Sequence, residues 1–566
     1  MKPIDRRSFI GGAAAAGVVA ATAAAGAGLT GCAGKPAASA PEQGATPDLP
    51  ADLRMEDFQY SVVELDPITE FAEEATYDIV VVGAGCSGVP AVLTAVEEGA
   101  SVACLQKEPA VSANGNGASF VLKDKSTPAG ILRWRSQWAK LSDWRMDTTL
   151  FQFYVDHSEE TVTWVVKRGR EEGIEPIEYK TDSTIRYGND IAAVCDVTQA
   201  SNNELMTALA ARAEREGATF YYSTPCVQLV QAEDGTVTGA IGKREDGTYV
   251  KLNANKGVIL AAGDYMNNTS MVDRNIREVN LFPLCLVNHT GDGHILGILA
   301  GGRMTPLGHA RQIHTNYIGP LMFYQFLAIG PDGKRFCNET VPMSSLNIPM
   351  GYTFNPEDRG LHWRVFDSKM DGSYKSSIPV PPCVFVGQGS AWMDPESCVQ
   401  ADTLEELCEK AGMPLAAIDE IKRYNEFCAN GSDEDFGVDP DYLVAIDTPP
   451  YFAIIGDVGC SAINAGIQVD GNYQVIDNDR NPIPHLYAAG VQAGQPCGGI
   501  NWNMPGGFSN SSMFTSGRYT VIHALTGGST PKNPSSFADL SDVYVETDEA
   551  PFGWNDPMCA TEIAVW

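Results

Sequence analysis

"YDIVVVGAGCSGVPAVLTAVEEGASVACLQKEP", Tyr77 to Pro109, has the order of a βαβ unit. Ile79 to Val82 form an unbroken apolar run of strand length, as a strand covered on both faces requires. Gly83, Gly85 and Gly88 then give GxGxxG, with Ala84 and Ser87 among them and an Ala/Val-rich helix behind. Gly99 ends that helix, and "SVACLQ" is the second strand. The first glycine permits the tight turn, the second lets a pyrophosphate approach, and the third lets helix and strand pack. Free N–H groups at the helix start face the phosphates. In this context the pattern predicts a dinucleotide site, and the unit alone fits either FAD or NAD. An acidic residue at the end of the second strand normally takes the ribose hydroxyls. Gln106 stands there instead, and its amide oxygen accepts without charge assistance.

Toward the N-terminus, "DRRSFIGG" (Asp5 to Gly12) sets paired arginines before an alanine-rich run ending in "LTGC". This reads as a Tat export signal. The alternative is a transmembrane anchor, for which so much Gly and Ala makes a poor span. "LTGC" is similar to the bacterial lipobox, in which Cys32 would be lipidated. Residues 1–31 are therefore expected to be a signal peptide and 32–75 a linker, beginning with a flexible tether. The Tat route moves folded, often cofactor-loaded proteins and so points to redox chemistry. The expected location is the outer face of the cytoplasmic membrane, or the periplasm.

The rest of the 566 residues are too many for one ordinary core, so two domains are expected. A formal charge of −32 argues against nucleic acid and against docking on an anionic membrane. The 14 cysteines are scattered without CxxC, CxxCH or zinc spacing, and the eight histidines form no HExxH, so no metal is expected. Most cysteines are expected to be small buried hydrophobes.

Further segments follow in a fixed order. They are "QKEPAVSANGNGAS" after the second strand, "KGVILAAGDYMNN" (Lys256 to Asn268) and "TGDGHILGILAGG" (Thr290 to Gly302). Then come "GPDGKRFCNE" (Gly330 to Glu339), "RYNEFCANGSDEDFG" (Arg423 to Gly437) and "IPHLYAAG" (Ile483 to Gly490). Together they resemble the flavoprotein subunits of fumarate reductase and succinate dehydrogenase, and also urocanate reductases and 3-ketosteroid dehydrogenases. The resemblance covers roughly Tyr77 to Thr526. It implies an α/β fold: a glutathione-reductase-like Rossmann FAD-binding domain, discontinuous in sequence, with an inserted α+β cap. The implied boundaries are 76–309 and 461–535 for the FAD domain, 310–460 for the cap and 536–566 for a tail. The TGDG and LYAAG segments favour FAD over NAD. No histidine is placed for covalent attachment, so the FAD is expected to be non-covalent. Besides the glycine loop, the implied cofactor contacts are Gln106, Lys107, Asn114, Ala118, Ser119, Val227, Ala262, Gly263 and Asp292. Val491, Ser509 and Asn510 complete the set, the last two presenting helix N–H groups to the flavin pyrimidine edge. Val491 replaces a glutamate common in the family.

The loop "GGINWNMPGGFSNSSMFTSGR" (Gly498 to Arg518) departs from the family pattern. The resemblance places a carboxylate-clamping arginine at Met504, a proton-donating arginine at Met343, and a histidine within "CSAINAG", where Ser461, Ala462 and Asn464 stand. Without bidentate arginines a buried dianion costs several kcal/mol or more, so a small dicarboxylate is a poor substrate. The loop's outline is closer to the ketosteroid branch, with Gly506 kept as an N–H donor and Trp502 in place of a tyrosine. Trp502 offers one N–H and a flat face but no acid. His314 lies near the family's substrate histidine, with an ordinary surface role as its alternative. Arg311 is a substrate-binding candidate beside a solvated-loop reading, and Tyr352 a proton-donor candidate beside cap packing. The expectation is an FAD-dependent reductase of an activated C=C bond, with hydride passing from flavin N5 to an enone, aromatic or otherwise apolar substrate. Electrons would come from a separate membrane or cytochrome partner. The alternatives are a ketosteroid-type dehydrogenase running in reverse and a non-catalytic flavin-binding protein.

Overall fold

The computed structural model describes residues 49–540 apart from 143, 177, 181–184, 307, 316–324, 342–345, 372–397, 457, 495 and 497–506. The βαβ unit forms as β1 (Glu73–Val82), α1 (Gly88–Glu98) and β2 (Val102–Leu105). β1 lies between β2 and the strand Tyr249–Leu260, parallel to both. Thr219–Tyr221 extends the sheet beyond β2, and Pro482–Ala488 extends it beyond Tyr249–Leu260, again parallel. The apolar run of β1 now has its reason. Ile79 and Val81 pack into one core and Val80 and Val82 into another, so neither face tolerates a polar residue.

Because Pro482–Ala488 completes a sheet begun at Glu73, the FAD domain is discontinuous, and the chain between holds the cap. The cap sheet is antiparallel, in the order Leu327–Ile329, His362–Asp367, Tyr451–Gly456, Cys398–Ala401. The helices Leu404–Ala411 and Ala416–Asn430 pack on it through Leu407, Ala417 and Ile421, against Trp363 and Val365. Two antiparallel segments, Ala310–Thr315 and Val458–Asn464, form the ribbon by which the chain enters and leaves this unit.

Two boundaries differ from expectation. The linker assigned to 32–75 is not free chain over its second half: Leu53 and Val63 are core residues, and Asp57 is buried in an ion pair with Arg274. Apolar residues in a tether cannot stay solvated once a complementary groove exists. The tail assigned to 536–566 likewise packs through Leu540, which is fully buried. Most of the described cysteines are buried, with Cys285 exposed. Among the described residues no helix is long and apolar enough to cross a membrane, and no cluster suits a metal ion. Cys32 and residues 1–31, the expected signal peptide, lie outside the described residues.

Candidate functional site

Four parallel strands end in register: Leu105, Val82, Leu260 and Ala488 stand side by side. The turns leaving them must diverge, and a crevice at the carboxyl ends of such strands is where α/β sheets bind ligands. Here that crevice is a cavity of about 570 Å³. Gly83–Ser87, Gln106–Glu108, Ala261–Gly263 and Val491 all line it, one group from each strand end.

The glycine loop forms as the pattern requires. Gly83 has φ +103°, and a Cβ there would lie 2.9 Å from Ala262 Cα. A Cβ on Gly88 would overlap the Gly83 carbonyl oxygen, so the third glycine is what lets α1 start against the turn. Gly517, unremarked in the sequence, does the same on the other side. A Cβ there would overlap the Ser87 carbonyl, so it lets the helix Phe508–Thr526 cross α1 at its start. That helix begins after Gly507 (φ +74°), and its first turn brings Ser509 and Asn510 to the cavity. Asn510 Nδ2 donates to the Gly117 carbonyl at 2.8 Å, tying the helix start to the Gly115–Gly117 wall.

Several expected contacts are placed differently. Gln106 lines the cavity, but its amide braces the loop: Oε1 accepts the Ala84 N–H at 3.0 Å and Nε2 donates to Ala110 O at 2.8 Å. A glutamate could accept the first bond but could not donate the second. Lys107 spends its ammonium on Asn288 O, Thr290 Oγ1 and Asp292 Oδ2 at 2.8–3.0 Å. The Asp292 carboxylate also accepts from Ser61 Oγ and the Val62 N–H, so it is satisfied within the protein while still lining the wall. Val227 is not on the wall, which Pro225 and Cys226 form; its carbonyl accepts the Glu64 N–H at 3.1 Å. Ala118 and Ser119, consecutive on the strand Gly117–Val121, point to opposite faces and neither lines the cavity: Ala118 is buried against the Gly507 turn, and Ser119 is hydrogen-bonded to the Tyr154 hydroxyl in the core. Asn114, Ala262, Gly263 and Val491 do line it.

Of the catalytic candidates whose side chains are described, Arg311 and Tyr352, neither lines the cavity. Arg311 is neither solvated nor on the cavity wall: it is 5% exposed and paired with Glu278 at 2.8 Å. Gln312, its neighbour in the strand, reaches the wall instead. Tyr352 is 89% exposed on the helix Asn347–Thr353, which removes both the proton-donor and the packing reading. His314 lies on the ribbon opposite Gly459, with its side chain outside the described residues. Trp502, Met504, Gly506 and Met343 also lie outside them.

The sequence reading missed Asp264, His289, Cys285, Gln312 and Met513, all on the cavity wall. Asp264 sits inside the quoted "KGVILAAGDYMNN" and His289 directly before "TGDGHILGILAGG"; that position beside the motifs was the available signal, and only the fold brings the two together at Gly263. The residues present fit an FAD. The loop is open only because its glycines lack Cβ atoms, two helix starts converge on the cavity, and the volume lies in the range of cofactor sites.

Comparisons agree. A family profile described as an FAD binding domain matches residues 78–510. A vinyl phenol reductase from Lactiplantibacillus plantarum is 27% identical over 80% of this chain and 97% of its own. A urocanate reductase from Eggerthella lenta is 25% identical over 79% of this chain and 74% of its own. The open conformation of a flavocytochrome c3 fumarate reductase superposes with a TM-score of 0.59, at 23% identity over 80% of this chain and 79% of that one, a likeness of fold.

Proposed function

The chain belongs to the FAD binding domain family and is an FAD-dependent oxidoreductase of the fumarate-reductase type; from that premise we propose that it reduces an activated C=C bond in a neutral, apolar substrate. The observation carrying this reading is the character of the wall beyond the glycine loop. Cys285, Leu286, Gln312, Ser461, Ala462 and Met513 bring no charge to it, and Arg311 is drawn away into its pair with Glu278. A dicarboxylate needs cations in that place, and one left unpaired there costs several kcal/mol or more. The names vinyl phenol reductase and urocanate reductase among the relatives support reduction of an unsaturated side chain.

Bound FAD supplies a two-electron hydride store. The chain's own residues would hold it: the Gly83–Gly88 loop would take the phosphates, and the helix-start N–H groups at Ser509 and Asn510 would meet the flavin, where they would favour the charge gained on reduction. Amide and hydroxyl groups such as Gln312 and Ser461 orient a carbonyl or phenol without demanding a charge. Attachment is non-covalent in this reading. The twin-arginine run and Cys32 support an exported, lipid-tethered protein fed by a separate membrane or cytochrome donor.

The test is reoxidation of the viologen-reduced protein under anaerobic conditions, followed at the flavin absorbance. Vinyl arenes or enones should reoxidise it and fumarate should not. Reoxidation by fumarate faster than by every neutral compound would sink the proposal. Oxidation of a saturated ketone with an artificial acceptor, with no enone reduced, would instead assign the dehydrogenase direction.

A further inference from the structure

His289 is a histidine in the wall of the cofactor cavity, held on three sides. Its backbone is locked to Asn267, with His289 N–H donating to Asn267 Oδ1 at 2.8 Å and Asn267 N–H to His289 O at 2.9 Å. Its ring is fixed by Nδ1, 3.2 Å from Asp264 Oδ1. Asp264 is itself rigid: its carboxylate also accepts N–H groups from Met266 and Ile463 at 3.0 and 2.8 Å. The Cε1–Nδ1 edge lies over Gly263, where a Cβ would come within 3.0 Å of it. That leaves Nε2 as the ring's remaining donor. The Asp264 side chain is fully buried and the His289 side chain 24% exposed, so the pair reaches solvent through the histidine.

The location gives the pair a use. Gly263 follows Ala262, whose Cα nearly touches the missing Cβ of Gly83, so His289 stands just across the Ala261–Gly263 turn from the glycine loop. Only Lys107 and His289 are basic among the described wall residues, and Lys107 is spent on Asp292. We infer that His289, oriented by Asp264, is a cationic ligand of the FAD diphosphate, donating from Nε2 to a phosphate oxygen. This rests on FAD as cofactor and is independent of the substrate.

The groups facing His289 are Asp264 from the turn after Tyr249–Leu260, and Lys107 and Glu108 from the end of β2. Asp292, at the head of its helix, is engaged with Lys107. Burial disfavours the imidazolium, but Asp264 more than offsets this and raises the pKa above the ordinary histidine value. The cationic contribution is therefore complete at pH below that ordinary value and is lost as pH rises through the raised one.

The experiment measures binding of FAD, ADP and riboflavin to the apoprotein by fluorescence, with folding checked by circular dichroism. His289→Gln should weaken FAD and ADP by a similar factor, roughly 10-fold or more for a charge-assisted bond, and leave riboflavin unchanged. FAD affinity should fall with rising pH in the unaltered protein and stay flat in H289Q. His289→Lys, which keeps a cation that does not titrate near neutrality, should retain most affinity and lose the pH dependence. Weakened FAD with unchanged ADP would place His289 at the flavin and overturn the inference, as would unchanged FAD in both variants.

Discussion

At the scale of single residues, Arg335 concentrates the cap's electrostatics. Its Nε meets Glu339 Oε1 and its Nη1 meets Asp433 Oδ1, both at 3.0 Å, with the rings of Tyr424 and Phe436 each 5.0 Å away. Removing one partner leaves the others buried and uncompensated. Arg335→Ala should therefore cost about 3–5 kcal/mol, read as a drop in the denaturant midpoint. Burial pushes the Asp433 pKa up, but Arg335 and the Val438 and Asp435 N–H groups hold it down at about 2. Its stabilisation is thus whole above the ordinary carboxylate range near pH 4 and fades as pH falls toward 2. Acid unfolding of the protein should steepen in that window, and D433N should flatten it. Both residues lie in segments that the sequence assigned to the cap. Their pairing across 98 positions was not legible, because a sequence motif records neighbours along the chain and not contacts between a turn and a distant helix end.

At the scale of elements, the glycine loop was readable because its geometry is local. Spacing alone demands small residues where α1 meets the turn. Gly88→Ala should force the loop open against the Gly83 carbonyl, and we expect protein purified with little flavin, checked by the ratio of flavin to protein absorbance. Gly517 makes an equal demand between two helices far apart in sequence, so no local pattern announces it. The segment 49–72 is a second case. The composition from Ala33 to Pro50 suggested tether for the whole linker, but farther on Ser61, Val62 and Glu64 bind Asp292 and the Val227 carbonyl beside the cofactor wall. Deleting residues 1–72 should weaken FAD retention on dialysis, whereas deleting 1–48 should not. Equal retention in the two would show that this segment contributes nothing to the site.

At the scale of the whole molecule, four strand ends in register make the crevice, whose wall draws on parts of the chain separated by the cap, so a bound cofactor would join them. FAD binds the folded state alone, so it should stabilise the protein by about 2.7 kcal/mol at a free concentration 100 times its Kd. Stripping the flavin should lower the melting temperature, and added FAD should restore it in a concentration-dependent manner. ADP should restore part of the shift, since it occupies the adenosine and diphosphate portion of the cleft.

By itself the sequence determined the βαβ unit, which rests on local periodicity and glycine spacing; the return of the chain at "IPHLYAAG" and the inserted cap were legible through the resemblance that the ordered motifs carry. Tertiary structure alone decided what the polar side chains do. Gln106 turns to the loop backbone, Arg311 to Glu278, Lys107 to Asp292 and His289 to Asp264. A buried polar group must take whatever partner the packed strand ends bring within reach, and that choice is made only when distant segments meet.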